Sequence, residues 1–400
     1  MKLLTAEDAR ARMLARTSPL GAERATLANA LGRVLAEPVV ADRDQPPFAA
    51  SAMDGWAVRA ADTPGRLAIT GESAAGRGFQ GELGPGQAVR IFTGAPIPAG
   101  ADAVAIQEDV ERAGDVAHVP ATPPGKHVRP AGLDFRTGQR LLEPGVRLDP
   151  WRLALAAGAG RASLSVARRP RVTVLATGEE IVRPGRRARA DQIFDSGSTA
   201  LTALVRACGG EARALPAAGD TVESILASVS RDRGELLVTL GGASVGDHDL
   251  VKPALSRLGL ELAVESVAVR PGKPTWFGVL ANGRAVLGLP GNPASALVCA
   301  ELFLRPLLNA MLGLEPGPKL ERARAAAPLE ANGAREHWMR AKLLRDESGR
   351  TLVEPLSDQD SSLLTAFAMA DALLRRVAGA PAARAGESVE ILPLARLGHG

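Results

Sequence analysis

The chain has 400 residues, of which 46% are hydrophobic and 23% are charged, and its formal net charge is +4. This composition is typical of a folded globular protein, and the length predicts two to four domains. The apolar region 151–167 is interrupted by Arg152 and Arg161, so we expect no membrane-spanning segment.

Aromatic residues amount to 3% of the chain, which leaves little for stacking on bases, so we expect no nucleic-acid binding. Basic residues cluster only at 183–189. This stretch is either a solvated loop or a segment whose positive charge attracts an anionic substrate. Cys208 and Cys299 are not spaced as metal ligands are. The N-terminal residues of the chain resemble the start of a helix, not a signal peptide. These features predict a cytoplasmic protein.

Two segments, residues 1–41 and 141–168, carry helical patterns and are predicted to form one helical linker domain, with helices over 1–40 and 150–167. The first of these helices has a capping-box pattern at Thr5. Between the two segments, residues 42–140 are rich in Pro, Gly and short runs of Val and Ile, which predicts a β-rich insert domain.

The insert carries three polar residues of interest. Asp54 lies in a predicted turn, and because a buried aspartate is unfavourable unless it is hydrogen-bonded, Asp54 is either a turn former or an exposed functional acid. Thr93 lies on a second loop rich in Gly and Pro, and Asp134 follows Gly132 on a third.

Residues 169–315 alternate between strand and helix patterns, which indicates a three-layer α/β domain with a mostly parallel sheet. Ligands of such domains bind beyond the carboxyl ends of the strands. The predicted strands are 171–176, 211–215, 235–240, 262–269 and 285–289, and the predicted helices lie near 198–208, 221–230, 250–258 and 293–312.

Several polar loops follow these strands. Glu180 comes after the first strand and Asp220 precedes the second helix. Residues 241–249 combine glycines with Ser244 and Asp249, a pattern that suits phosphate and a bridging cation, or else an ordinary strand-to-helix turn. Together these loops favour a charged, metal-assisted site at one edge of the sheet.

Residues 289–296 form a second loop of this kind, in which Asn292 is a candidate N-cap and Pro293 a first helical residue. Free N–H groups at 293–296 would favour an anion, although simple capping explains the same residues. After Pro316 the sequence predicts a small β-rich domain, 316–400, with a helical stretch at 362–374 and a final strand at 387–393.

Six motifs occur in a characteristic order in this chain. They are Ser-Ala-Met-Asp-Gly-Trp at 51–56, Thr-Gly-Ala-Pro-Ile-Pro at 93–98, Ala-Thr-Gly-Glu-Glu at 176–180, Gly-Gly-Ala-Ser-Val-Gly-Asp-His-Asp at 241–249, Arg-Pro-Gly-Lys-Pro at 270–274 and Leu-Pro-Gly-Asn-Pro-Ala-Ser-Ala at 289–296. In this order they resemble the molybdopterin molybdenumtransferase family, which includes the gephyrin E domain. The resemblance covers essentially the whole chain.

The resemblance implies four domains and an elongated cytoplasmic homodimer, with the active site between the α/β domain of one subunit and the insert of the other. It implies magnesium-dependent insertion of molybdate into adenylylated molybdopterin, with release of AMP. The expected ligands are small anionic substrates, and transient contacts are expected with other cofactor-biosynthesis proteins and molybdoenzymes. The implied catalytic residues are Asp54, Thr93, Asp134, Glu180, Asp220 and Asp249, of which Asp220 and Asp249 are candidate magnesium ligands.

The residues expected to bind the substrates are Gly241, Gly242, Ser244, Arg270, Lys273, Pro290, Asn292, Pro293 and Ser295. The chain departs from the family at Trp56 and Gly197, where tyrosine and asparagine are usual, and at Ser266 and Arg270, where lysine is frequent. Arg270 keeps a positive charge, but Ser266 removes one.

Three alternatives remain open from the sequence. The first alternative is a molybdopterin adenylyltransferase, and the second is a nucleotide pyrophosphatase with a related α/β domain. The third is a non-enzymatic scaffold that binds a partner peptide. The motifs at Asp54 and Thr93 disfavour the first two, because such enzymes would not need this insert.

Overall fold

The structure is a computed structural model that describes residues 3–230, 232–242 and 250–394. The chain divides into two compact units, Arg24–Val166 and the combination of Met1–Glu23 with Ala167–Gly400. Each unit has its own hydrophobic core.

The first helix, α1, spans Ala6–Leu14 and begins at Thr5, whose hydroxyl accepts a hydrogen bond from the Asp8 amide at 3.0 Å. The helical prediction for 1–40 is wrong beyond Leu14. Pro19 lacks the N–H that a helix needs, and Gly21 has a φ of 84°, outside the helical region. The chain after these residues forms short strands.

The unit Arg24–Val166 contains a six-stranded sheet in the order β7-β4-β6-β5-β9-β8, and the pairs β10-β3 and β11-β2 form two separate two-stranded sheets. The β-rich character predicted for the insert is therefore confirmed. The strands are β1 Ala22–Thr26, β2 Val39–Val40, β3 Ala50–Ser51, β4 Gly55–Val58, β5 Gly65–Ser73, β6 Gln87–Ile91, β7 Ala103–Ile106, β8 Glu111–Ala113, β9 Val116–Val119, β10 Val128–Arg129, β11 Arg140–Leu142 and β12 Ser163–Ala167.

Helix α2 spans Pro150–Gly158 and is capped by Asp149, whose carboxylate accepts a hydrogen bond from the Arg152 amide at 2.8 Å. The helix predicted over 150–167 is wrong beyond Gly158. Residues 163–167 form β12, which pairs with β1, because Leu164 and Val166 alternate into the core of this unit in the two-residue period of a strand.

The α/β domain follows, with strands and helices in alternation, as predicted. Its strands are β13 Arg171–Ala176, β14 Ile181–Val182, β15 Ile193–Phe194, β16 Glu211–Ala214, β17 Leu236–Leu240, β18 Glu261–Val264, β19 Val269–Arg270, β20 Trp276–Val279 and β21 Ala285–Leu289. Its helices are α3 Ser196–Ala207, α4 Val222–Ser230, α5 Val251–Ser256, α6 Pro293–Cys299 and α7 Arg305–Met311.

The main sheet has the order β16-β13-β17-β21-β20-β18, in which the first four strands are parallel, β20 is antiparallel to β21, and β18 is antiparallel to β20. One face is covered by α1, α3, α6 and α7, and the other by α4 and α5. The predicted three-layer domain is therefore confirmed. The prediction of one strand over 262–269 is wrong, because this stretch contributes β18 to the main sheet and β19 to another, and the sequence analysis missed β20.

A π-helical turn, Ala300–Leu304, joins α6 to α7, and the resulting helix Pro293–Met311 is long and apolar enough to span a membrane by length and composition. Of its most apolar window, 78% is buried inside the structure. Packing in the core explains the apolar composition of this helix.

The C-terminal domain is a closed β-barrel, because β23 pairs with both β24 and β25. Its strands are β22 Glu321–Ala325, β23 Glu336–Arg345, β24 Thr351–Pro355, β25 Ala372–Arg376 and β26 Ser388–Pro393, and β19 joins its edge. The predicted final strand is confirmed. The helix predicted over 362–374 is shorter, since α8 spans Leu364–Met369 and β25 follows it.

Glu235 ties β17 to the start of β13, because its carboxylate accepts hydrogen bonds from Arg168 Nη1 and Arg171 Nη2, both at 2.8 Å. Burial opposes ionisation, but the bonds from Arg171 and Arg168 outweigh it and lower the pKa of Glu235 to about 2. Both arginines are partly exposed, so we expect Glu235→Gln to lower the free energy of unfolding by about 1–2 kcal/mol at pH 7.

This stabilisation requires the ionised carboxylate, so it is present above the unfolded pKa and is lost as the pH falls from about 4.5 towards about 2. Urea denaturation of the wild type and of Glu235→Gln at pH 7 and pH 3 measures the difference. A difference of the same size at both pH values would contradict this assignment.

Candidate functional site

Three loops meet at the carboxyl edge of the α/β sheet, after β13, β17 and β21. The amide of Thr177 donates a hydrogen bond to the Leu240 carbonyl at 3.0 Å, and the amide of Gly241 donates to the Leu289 carbonyl at 3.3 Å. A Cβ on Gly291 would lie 3.5 Å from the Cα of Gly241. The loops are therefore in van der Waals contact, as expected for the carboxyl ends of neighbouring parallel strands.

The first glycine loop turns tightly, as the sequence predicted. Gly241 and Gly242 have φ values of 85° and 57°, in the left-handed region that favours glycine. A Cβ on Gly241 would lie 3.0 Å from the hydroxyl of Thr177, which leaves little space for a larger residue. The rest of the loop, including Ser244 and Asp249, lies outside the described residues.

Two predicted acids, Glu180 and Asp220, are exposed at the same edge. The loops that carry them are joined, because the Gly178 amide donates a hydrogen bond to the Ala218 carbonyl at 3.2 Å. The Glu180 carboxylate lies against Gly178, where a Cβ would stand 2.4 Å from Glu180 Oε2. A side chain at position 178 would therefore displace this carboxylate.

The donor set at this edge consists of carboxylate oxygens, the ligand type that magnesium prefers. In the part of the chain that the structure describes, no three His, Cys, Asp or Glu side chains gather closely enough to hold a metal ion. Magnesium is, however, commonly held by one or two carboxylates together with substrate phosphates and water. The exposed oxygen donors of Asp220 and Glu180 suit this mode, so the chemistry of the donor set fits magnesium.

The second loop is held by the C-terminal domain. Asn292 is the N-cap residue of α6, as predicted, but its side chain makes no capping hydrogen bond; instead its side-chain amide donates to the Ser361 hydroxyl at 2.9 Å. The amide of Ala294 donates to the Ser361 carbonyl at 3.1 Å. One of the N–H groups expected to be free at the start of α6 is therefore bound by Ser361, a residue that the sequence analysis missed.

Two further predicted binding residues of this loop, Pro290 and Ser295, are buried. Pro293 is half-buried and occupies the first turn of α6, as predicted. These residues shape the backbone of the loop, so any direct contact of the loop with a ligand falls to its exposed members, Gly291 and Asn292.

The basic motif at 270–274 is anchored on α6. Arg270 and Lys273 are exposed, while Gly272 packs so closely against Cys299 that a Cβ on the glycine would lie 2.1 Å from the sulfur. Burial raises the pKa of the Cys299 thiol to about 12, so this thiol is a packing group and not a nucleophile. The two cations are thereby held beside the last turn of α6, the helix that follows the second loop.

Arg340 is a fully buried cation that the sequence analysis also missed. Its Nη2 donates to the Asp360 carbonyl at 2.9 Å, in the loop that carries Ser361, whereas its Nε and Nη1 have no hydrogen-bond partner in the part of the chain that the structure describes. Buried cations without full pairing are unfavourable and mark candidate functional sites. No local pattern marked Arg340 in the sequence, because β23 also carries Glu336, Lys342 and Arg345.

In the other unit, the structure joins Asp54 to Thr93. Asp54 Oδ1 accepts hydrogen bonds from the amide and the hydroxyl of Thr93, each at 2.8 Å. These bonds lower the pKa of Asp54, so its carboxylate is ionised at neutral pH. The Gly94 amide also donates to the Ser51 carbonyl at 2.8 Å. Asp54 is thus a satisfied turn former whose side chain remains partly exposed.

Asp134 is exposed on a different loop of this unit, where its amide donates to the Gln45 carbonyl at 2.9 Å. Nearby, Asp44 repeats the arrangement of Asp54, because its Oδ1 accepts hydrogen bonds from the amide and hydroxyl of Thr137 at 2.7 and 2.8 Å. The sequence analysis did not select this second aspartate–threonine pair.

Comparison with known protein families defines the class of protein. Residues 173–310, which form the α/β domain, match the family described as "Probable molybdopterin binding domain". Residues 4–160 match the "MoeA N-terminal region (domain I and II)" and residues 322–394 match the "MoeA C-terminal region (domain IV)".

Individual relatives are similar over most of the chain. A molybdopterin molybdenumtransferase of Haemophilus influenzae is 33% identical over 99% of this chain and all of its own length. Molybdopterin molybdenumtransferase 2 of Mycobacterium tuberculosis is 41% identical over 73% of this chain and 75% of its own. A crystal structure of a molybdopterin biosynthesis MoeA protein from Pyrococcus horikosii superposes with a TM-score of 0.83 at 33% identity, covering 98% and 99% of the two chains. The chain belongs to the molybdopterin molybdenumtransferase family.

Proposed function

We propose that this protein inserts molybdate into adenylylated molybdopterin and releases AMP, in a magnesium-dependent step of molybdenum cofactor biosynthesis. The observation that carries the proposal is the arrangement at the carboxyl edge of the α/β sheet. Glycine loops, exposed acids and the anchored cations Arg270 and Lys273 belong to one unit of a chain that is a member of this family.

The positive groups would hold the anionic substrates. Molybdate and a pyrophosphate repel each other, so a site that brings them together needs cations and oriented N–H donors. Arg270 and Lys273 would bind the oxyanion. The backbone at Gly241, Gly242 and Ser244 would approach the phosphates, and the loop from Pro290 to Ser295 would hold the rest of the pterin nucleotide.

Asp220 and Asp249 would hold the magnesium ion, and Glu180 would orient groups beside it. The ion would neutralise charge on the pyrophosphate oxygens. Asp220 suits this role because it is exposed beside the loop that carries Glu180. No covalent enzyme intermediate is needed, since cleavage of the phosphoanhydride requires only positioning and charge stabilisation.

We propose that Asp54, Thr93 and Asp134 act from the insert of the second subunit of a cytoplasmic homodimer. Thr93 fixes the Asp54 carboxylate with two hydrogen bonds, which keeps it ionised and directs it as an acceptor. Such an acceptor would orient hydrogen-bond donors of the substrate. The proposal that two subunits complete the site rests on the family resemblance.

A reaction with purified protein, adenylylated molybdopterin, magnesium and molybdate tests the function. We expect AMP and metal-loaded cofactor to form together. An adenylyltransferase would instead consume ATP and unmodified molybdopterin, a pyrophosphatase would release AMP without loading metal, and a scaffold would do neither. Any of these three results would overturn the proposal.

Lys273→Ala is expected to raise the molybdate concentration for half-maximal rate at least about tenfold, equivalent to about 1.4 kcal/mol. Lys273 is exposed on a loop stiffened by Gly272 packing, and Ser266 supplies no charge to share its role. The measurement is the rate of AMP release against molybdate concentration at low ionic strength, where charge effects are largest.

Lys319→Ala provides the matched control, since Lys319 is an exposed lysine outside this loop. Lys273→Arg should keep most of the molybdate affinity, because the charge remains. If Lys273→Ala and Lys319→Ala show the same molybdate dependence as the wild type, the oxyanion is not held by Lys273.

A further inference from the structure

His337 lies next to Arg270 in the sheet of the C-terminal domain. Strands β19 and β23 pair in parallel with Arg270 opposite His337, and β23 and β25 pair with His337 opposite Arg376. Residues opposite each other on neighbouring strands point to the same face of a sheet. Arg270, His337 and Arg376 therefore form one row across three strands.

The charged groups near this row are mostly cationic. Arg376 is buried and donates to the carbonyls of Glu330 and Pro381. Glu336 alternates to the opposite face of β23, where its carboxylate accepts a hydrogen bond from Arg375 Nε at 2.6 Å. Helix α8, which packs on β23, has no charged residue. Arg335 precedes β23, and Arg340, with Asp358 and Asp360 near it, alternates to the same face of β23 as Glu336.

This environment holds His337 neutral. Burial, followed by the charges of Arg270, Arg340 and Arg335, lowers the pKa of its imidazole to about 4. A neutral imidazole still carries one N–H donor. The row thus combines an exposed guanidinium, an N–H donor and the Nε of buried Arg376, which has no hydrogen-bond partner among the described residues. A bound dianion would supply the negative charge that this cluster lacks.

We infer that His337 is a further binding residue of the oxyanion site at Arg270, and that it takes up a proton when a tetrahedral dianion binds. The inference rests on the proposed role of Arg270 in oxyanion binding. It makes oxyanion affinity depend on pH through one residue of the C-terminal barrel.

The direction of the effect follows from linkage. The anion offsets the repulsion from the arginines, so the pKa of His337 rises on binding, towards the ordinary value of about 6.5. Between the free and bound pKa values, binding takes up a proton, and affinity increases as the pH falls. We expect the dianion to bind at least about tenfold more tightly at pH 5 than at pH 7.5.

Sulfate is the probe, because it remains a tetrahedral dianion throughout this pH range, whereas molybdate condenses in acid. Isothermal titration of the full-length protein at pH 7.5, 5.5 and 5.0 gives the affinity. Repeating the pH 5.5 titration in two buffers of different ionisation enthalpy gives the number of protons taken up. We expect that number to approach one in the wild type.

His337→Gln should abolish the proton uptake and the rise in affinity at low pH, and His337→Asn serves if the glutamine variant does not fold. The matched control is His118→Gln, which removes a histidine from β9 in the other unit and should behave as the wild type. Equal affinity at all pH values, or pH dependence that survives in both His337 variants, would overturn the inference.

Arg270→Ala separates this inference from the assignment on which it rests. Sulfate binding could be lost in that variant while binding to the wild type is independent of pH. That result would refute the role inferred for His337 and retain the oxyanion-binding role of Arg270. Sulfate binding that is unchanged in Arg270→Ala, or absent from the wild type, would overturn both. AMP release by the same preparation, measured separately, shows whether the proposed function stands in either case.

Discussion

Replacing Gly272 with alanine is expected to lower the free energy of unfolding by about 3 kcal/mol or more. The new Cβ would lie 2.1 Å from the sulfur of Cys299, which is fully buried, and the φ of Gly272 is 116°, which is unfavourable for any other residue. Because this contact anchors Arg270 and Lys273, the variant should also need more molybdate. Chemical denaturation and molybdate-dependent AMP release measure the two effects.

A double-mutant cycle isolates the steric term. Cys299→Ala removes the sulfur, so Gly272→Ala in that background should lose only the part due to backbone strain, about 1–2 kcal/mol. Additive losses for the two substitutions would show that the contact with Cys299 is not the cause, and that this account of the basic loop is wrong.

Mixed dimers are expected to recover activity that neither parent has. Asp54→Ala and Asp249→Ala should each lose at least about a hundredfold in rate, because each removes a charged group from one side of the proposed site. In a twofold-symmetric mixed dimer, one of the two sites would keep both aspartates. A statistical mixture should then regain about one quarter of the wild-type activity.

The mixing experiment needs proof that subunits exchange, which differently tagged subunits provide. Asp54→Asn keeps the size of the side chain and should complement Asp249→Ala in the same way. Exchanged dimers that remain inactive would contradict the proposal that two subunits complete one site.

The sequence predicted the parts of the fold that depend on local pattern. Thr5 caps α1, and the apolar strand ending at Leu240 leads into a tight glycine turn, because both features are set by residues close together in the chain. The helix predicted over 1–40 failed where Pro19 and Gly21 interrupt it. Beyond Thr17, the apolar residues whose spacing suggested a helix lie in a segment that forms short strands instead.

The missed residues depend on contacts between distant parts of the chain. Ser361 reaches Asn292 across 69 positions, and no local pattern indicates that a loop of the barrel binds the start of α6. Arg340 resembles an ordinary charge in the sequence and becomes notable only once it is buried with two nitrogen atoms unpartnered. The basic loop is similar, since its anchor at Cys299 is visible only in the packed structure.

The central claim is that cleavage of the adenylylated pterin is coupled to metal insertion. It is tested most directly by counting AMP released and molybdenum incorporated in the same single-turnover reaction. We predict one molybdenum per AMP, and neither product in quantity when molybdate or magnesium is omitted. Release of AMP at the same rate without molybdate, with no metal in the pterin product, would contradict the account.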